Sequence, residues 1–265
     1  MPLILQEGKY FGTPLRTIEN DFFRCNISQY EPGETIQEHY HENTYLSLLI
    51  RGNYVEQHHS SKIVIEAGNC ILRPALYDHA NRFHKHGGNC LNIELKQQFE
   101  FDEVKLKLPS QTKTYATGSI VSAYRLLNYF TQHAETELCL EQVLHCFLEA
   151  SEQIKSPSSL PWLKKVIHKL ENETEIKHTL QSLAQAVCVH PVYLSATFKK
   201  KTGLTLSEYQ LRLRLEKAMR LLFKSKFPVQ QIALECGFYD APHFVRSFQA
   251  AYHVSPQRFR SSLIA

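Results

Sequence analysis

The 265-residue chain is 43% hydrophobic and 21% charged, an ordinary balance for a folded globular protein, and its length predicts two domains rather than one small core. No apolar run approaches the roughly 18 residues of a membrane span, and the opening MPLILQEGKYFG lacks a signal-peptide pattern, which predicts a cytoplasmic protein with no membrane partner. Net charge is only +4, yet residues 160–265 carry 16 Lys and Arg against 7 Asp and Glu, while residues 1–159 carry 14 against 19.

Residues 1 to about 108 show short alternating apolar stretches, among them Tyr45–Ile50, Ile63–Ile65 and Leu91–Leu95. Turn-forming material punctuates them: Pro32-Gly33, Arg51-Gly52-Asn53, Ala67-Gly68-Asn69 and Gly87-Gly88-Asn89. Many closely spaced strands predict a β-sandwich or barrel. From about residue 116 the period lengthens. Ile120, Tyr124, Leu127 and Phe130 fall three or four apart, as do Leu140, Val143, Leu144, Phe147 and Leu148, so two amphipathic helices are expected. The stretch KSPSSLPW (155–162) is polar and proline-bearing and reads as a linker. Only helices follow: Leu180–Val187, Pro191–Lys201, a long one from the capping box Thr205-x-x-Glu208 to about Phe223, two more around Pro228–Glu235 and Ala241–Ala251, and a last one opened by Pro256. The seven cysteines (25, 70, 90, 139, 146, 188 and 236) are scattered without a CxxC pair, which predicts reduced thiols rather than a disulfide framework or zinc finger.

The helical half contains a repeat. SLAQAVCVHPVYLSATFKKKTGLT (182–205) aligns with QIALECGFYDAPHFVRSFQAAYHVSP (231–256), pairing Ala184 with Ala233, Leu194 with Phe244, Phe198 with Phe248 and Leu204 with Val254. The turns then hold Cys188 and Gly237, and the second copy has one extra turn residue. Two short helices crossing steeply need a small residue where their axes approach and a turn residue that tolerates positive φ. Asp240 can cap the second helix of the later copy, with Pro242 in its first turn, and His190-Pro191 serve the earlier copy likewise. Two copies of such a helix pair on a strongly basic segment predict binding to double-stranded DNA.

Residues 164–262 resemble the DNA-binding domain of the AraC/XylS family of bacterial transcription regulators. The resemblance is carried by Leu183-Ala184, Tyr193-Leu194-Ser195, Phe198-Lys199-Lys200, Thr202-Gly203, Ile232-Ala233, Cys236-Gly237-Phe238, Asp240, Phe244, Arg246, Phe248 and Ser255-Pro256. It implies two helix-turn-helix motifs, at about 180–201 and 229–251, reading two successive major-groove segments. Base-reading candidates are Val192, Tyr193 and Ser195 on the first recognition helix and Ala241, His243 and Arg246 on the second. Lys199, Lys200, Lys201 and Arg212 are candidates for phosphate contacts. Cys188 and His253 stand where the family usually has glycine, and Ala196 where many members carry arginine.

In the first region, Gly33-x5-His39-x-His41-x3-Tyr45-x6-Gly52 and Gly68-x5-Pro74-x4-His79 resemble the two motifs of the cupin superfamily, a small jelly-roll barrel. AraC-type regulators commonly place such a barrel before the DNA-binding domain to hold a small effector. The metal-binding cupin pattern keeps its three imidazoles here as His39, His41 and His79, but Tyr45 replaces its glutamate, Leu76 its second-motif glycine and Phe83 its final asparagine. Three converging imidazoles would suit Zn²⁺ or Fe²⁺ with an open position. The missing carboxylate counts against that, so no cofactor is expected. A pocket for a small organic effector, lined by His39, His41, Tyr45, Arg73 and His79, is expected instead.

The expected layout is therefore two-domain: a cupin-like all-β barrel over 1–110, a helical linker and dimerisation region over 111–158, and an all-α domain with two helix-turn-helix motifs over 159–265. The expected function is sequence-specific, effector-responsive transcription regulation, without enzyme activity. By the resemblance, the helices of 116–154 would pair two chains in a homodimer, and an activator would also contact RNA polymerase. The competing reading is a metal-dependent cupin enzyme with an accessory helical domain.

Overall fold

The computed structural model describes residues 3–96, 108, 110–132, 140–152 and 160–263. Its chain divides into two compact units, one of residues 1–154 with 258–265 and one of residues 155–257. Among the described residues no helix is long and apolar enough to cross a membrane.

The first unit is a β-rich half-barrel of strands β1 (Leu3–Leu5), β2 (Thr13–Glu19), β3 (Phe23–Tyr30), β4 (Thr35–His41), β5 (Tyr45–His58), β6 (Ser61–Glu66), β7 (Cys70–Arg73), β8 (His79–Leu95) and β9 (Lys113–Tyr115). β5 and β8 run antiparallel along most of their length at the centre of the sheet. β3 and β4 flank β8, β6 and β7 flank β5, and β1 adds in parallel to β4. Leu46, Leu48, Leu72, Leu91 and Ile93 are fully buried on these central strands.

Two of the expected turns are strand instead. Arg51-Gly52-Asn53 lies inside β5 and Gly87-Gly88-Asn89 inside β8, where Gly52 faces Gly88 across a bulge. The glycines permit close approach rather than reversal: a Cβ on Gly52 would lie 1.9 Å from the Gly87 carbonyl oxygen, and its φ is +85°. Pro32-Gly33 and Ala67-Gly68 fall in turns between strands, as the sequence suggests.

Helices α1 (Val121–Gln132) and α2 (Leu140–Glu152) follow, packed on each other. The α1 and α2 stripe residues Ile120, Tyr124, Leu127, Phe130, Val143 and Phe147 are fully buried, whereas Leu144 and Leu148 are half-exposed. Tyr124 fastens α1 to the sheet, its hydroxyl donating to the Gly68 carbonyl at 2.6 Å.

The second unit is helical: α3 (Pro161–Asn172), α4 (Leu180–Ala186), α5 (Pro191–Thr202), α6 (Leu206–Lys224), α7 (Val229–Glu235) and α8 (Ala241–Tyr252); α9 (Pro256–Ser262) begins in it. The expected linker 155–162 lies outside the described residues as far as 159, and its end is not linker. Pro161 and Trp162 open α3, whose Leu163, Val166 and Leu170 recur at helical spacing and are buried against Leu183, Ala184, Leu194 and Phe198. Proline at the first helical position starts this helix rather than interrupting it.

Candidate functional site

The two helix pairs α4–α5 and α7–α8 close with the same turn. In the first, the Val189 amide donates to Ala184 O at 3.0 Å and the Cys188 amide to Gln185 O at 3.2 Å. In the second, Phe238 donates to Ala233 O at 3.0 Å and Gly237 to Leu234 O at 2.9 Å. Both are Schellman closures, which require a left-handed residue at the turn: φ is 54° at Cys188 and 73° at Gly237. Ala184 and Ala233 are buried where the helices meet, and Leu194, Phe198, Phe244 and Phe248 are fully buried anchors. The next helix begins on a side-chain cap in each copy, His190 Nδ1 accepting from the Val192 amide at 3.3 Å and Asp240 from the His243 amide at 2.6 Å. Each α5 and α8 also ends alike, with Gly203 bonded to Lys199 O and His253 to Gln249 O, both at 2.9 Å.

With the anchors turned inward, the other face of each second helix is open. Val192 is 69% and Tyr193 52% exposed, and Ser195, Ala196, Lys199, Lys200 and Lys201 are exposed with them. Tyr193 also leans on Trp162, ring centroids 5.7 Å apart. On α8, His243 and Arg246 are exposed and Ala241 is half-buried. Arg246 has no hydrogen bond or ion pair among the described residues, which leaves its guanidinium free for an outside acceptor. Arg212 lies over the Tyr209 ring at 4.6 Å with its Nε 3.4 Å from Glu216, an ion pair within α6 that leaves its side chain 41% exposed. The sequence reading passed over Tyr239, 91% exposed just before α8, and Gln249, exposed on the same helix. For Gln249 the available signal was its place three residues after Arg246 on α8; Tyr239 precedes the cap and had none.

The half-barrel gathers the other predicted residues. His39 and His41 sit on β4 and His79 at the head of β8, with His39 and His79 facing each other in register. The three imidazoles are buried, and their nearest nitrogens all lie within 4.8 Å of one another. Burial holds the rings in their neutral form, lowering His39 to about 4 and His41 to about 2, and His79 well below the usual histidine range; Arg73 adds to the effect in all three. The Tyr45 hydroxyl is 3.1 Å from His79 Nε2.

Arg73 lines the same hollow but is bound into the wall. Its guanidinium donates to Glu56, to Ser47 Oγ at 3.1 Å and to the Tyr54 hydroxyl at 2.7 Å, with arginine and glutamate side chains 2% and 1% exposed. The roof comes from outside the two motifs. Tyr10 lies tilted over His41 with ring centroids 4.8 Å apart, and Phe11 meets His39 edge-on at 4.9 Å. Tyr10 is held there by its bond to Glu94, which also accepts from Asn43 and whose pKa burial raises. The space they line is about 20 Å³, room for one or two water molecules, and is partly open. Nothing in the spacing of residues 3–11 pointed to this role, because a roof depends on strand pairing distant in sequence.

Residues 183–262 match a family described as a helix-turn-helix domain. The chain is 32% identical over 127 residues to the HTH-type transcriptional regulator ArgR of Pseudomonas aeruginosa, a match that spans 46% of this chain and 39% of that protein. It is 26% identical over 269 residues to the HTH-type transcriptional activator RhaS of Shigella flexneri, spanning 91% of this chain and 95% of that one. A solved structure of ToxT from Vibrio cholerae covers 92% of the chain and all of its own at 14% identity, with a TM-score of 0.40, too loose to bear on function.

Proposed function

Because the chain belongs to the AraC/XylS family of DNA-binding transcription regulators, we propose that α4–α5 and α7–α8 are two helix-turn-helix units and that the half-barrel is a cupin-like sensor of a small effector. The observation that carries this is the shared construction of the two pairs: the same Schellman closure, inward anchors, and outward faces bearing Val192 and Ser195 on one and His243 and Arg246 on the other. A helix entering the major groove needs such a division between a buried stripe and a polar, accessible one. The relatives' names as transcriptional regulators favour this reading over a cupin enzyme.

In this reading, α5 and α8 are recognition helices. Arg246 makes the two-pronged contact with guanine, His243 and Ala241 read neighbouring bases, and Val192, Tyr193 and Ser195 supply apolar contact with thymine methyls and weak polar readout. Lys199, Lys200 and Lys201 meet phosphate, as well as favouring the C-terminal end of α5 electrostatically. Successive grooves on one face set half-sites about 10 bp apart. The domains divide as 1–110, 111–158 and 159–265. The chain acts in the cytoplasm as a homodimer through α1 and α2, where Leu144 and Leu148 remain half-exposed, and if it activates transcription it also contacts RNA polymerase. The effector works only through unequal affinity for the two arrangements of the protein.

Selection of bound sequences from random duplex DNA tests the reading. The expected product is a site with two half-sites about one helical turn apart. Arg246→Ala should weaken that site by about 1–3 kcal/mol and relax preference at one guanine while leaving nonspecific binding unchanged. Equal loss on both DNAs at one salt concentration would reduce Arg246 to a phosphate contact, and no enrichment at all would refute DNA recognition.

A further inference from the structure

We propose that the outer edge of the half-barrel, away from the hollow, carries a site for a first-row divalent transition-metal ion held by His58, His59 and Asp78. Each of the three offers a donor atom, and these atoms lie within 4.8 Å of one another. The inference stands apart from the reading of the chain as a regulator.

The backbone assembles the trio. Successive side chains of a strand point to opposite faces, so neighbouring histidines are ordinarily divided by the sheet. His58 ends β5 and pairs with Ser61 at the head of β6, which makes His59 and Ser60 a two-residue reversal. His59 takes a φ of +50° there, and its ring comes to lie beside that of His58, centroids 4.1 Å apart. Hairpins with positive φ at the first turn position ordinarily place glycine there. Asp78 arrives from the neighbouring strand: Gln57 pairs with Ala80, and the same register continued for two residues meets Asp78 at His59.

The donors are aimed and available. A carbonyl only accepts, so His58 Nδ1, 2.6 Å from the Asp78 carbonyl oxygen, carries the hydrogen and Nε2 keeps its lone pair. Anchoring the far nitrogen in this way is how ligating imidazoles are oriented. No lysine or arginine pairs with the Asp78 carboxylate among the described residues. Its Oδ2 is 3.8 Å from His59 Nδ1, too long for a hydrogen bond. Donors sharing an ion at about 2.1 Å stand roughly 3.4 Å apart, a closure that side-chain rotation supplies. The side chains of His58, His59 and Asp78 are 31%, 70% and 25% exposed, so an ion can enter from water and keep water as its remaining ligands. Two imidazoles with one carboxylate suit zinc, nickel, cobalt or iron(II), whereas magnesium and calcium favour all-oxygen surroundings.

An ion in this place would tie the β5–β6 turn to the residue before β8. Tyr77 stands between it and the hollow, its ring 4.4 Å from that of His58 and 5.5 Å from that of His79. Metal at the edge would thus stiffen the wall that carries His79.

The test titrates full-length, untagged protein, freed of metal with a chelator, with zinc chloride, followed by calorimetry and by melting temperature. The wild type should bind one equivalent of Zn²⁺ that depends on the trio and should melt higher with it by mass action, while Mg²⁺ does neither. Asp78→Asn and His58→Gln should each weaken that binding by more than the roughly tenfold that losing an outer partner costs. His41→Gln, a change in the hollow, should leave it in place. His59→Gly separates ligation from folding. Glycine suits the turn, so without metal this variant should melt at least as high as the wild type, yet gain less from Zn²⁺. Failure of the wild type to bind Zn²⁺ would overturn the proposal. So would binding that Asp78→Asn and His58→Gln both retain, or that His41→Gln abolishes. Neither readout involves DNA, so the outcome leaves the regulator reading untouched.

Discussion

Cys188, Leu76 and His253 hold left-handed backbone, with φ of 54°, 63° and 59°. All three stand where the resemblances expect glycine, so the family patterns marked the strained positions even though the residues there do not advertise them. Left-handed geometry costs an ordinary residue roughly 1–2 kcal/mol. Cys188→Gly should therefore stabilise the helical unit, by about 0.5–1 kcal/mol once the added freedom of the unfolded chain is deducted, measured as a higher urea midpoint. Gly237→Ala should do the opposite, by about 1–3 kcal/mol, because a Cβ there would lie 2.5 Å from the Glu175 carbonyl oxygen, in backbone that cannot swing away. A Gly237→Ala protein with an unchanged midpoint would show that the turn relaxes freely.

Among the elements, the helical repeat was legible because its determinants are local. A cap, a small contact residue and two anchors four apart lie within some twenty residues, and the caps at Thr205, His190 and Asp240 form as the sequence implies. Helix α3 was equally local but was hidden by the serines and prolines before it. The half-barrel was legible only in outline. Its hollow depends on pairings such as β4 with β8 and β5 with β7, which bring together residues far apart in sequence. Glu56 is the clearest casualty: from the sequence it is one more charge in an alternating strand, yet it is buried and neutralises Arg73. Removing one partner leaves a buried charge unanswered, so Arg73→Met and Glu56→Met should each cost about 3–5 kcal/mol. The double variant should recover most of that loss, because two well-packed methionines strand no charge. Additive losses in denaturant titrations would mean that the two groups do not interact.

Across the whole molecule, the uneven charge and the switch from strand to helix periodicity sufficed to separate a β-rich half from a basic helical half, whereas the walls of the hollow required the fold. One part of that fold also sets a pace. Tyr10 and Phe11 lie across the histidines, and β1 is laced to β4 beside His39 and His41, with Leu3 facing His39 and Leu5 facing His41. A ligand for the hollow would enter past this segment, so uptake limited by its lifting should level off at a fixed rate as the supply rises, and Tyr10→Ala should raise that ceiling. Rapid mixing followed by tyrosine fluorescence reads the rate. A roof of this kind would delay filling and emptying alike.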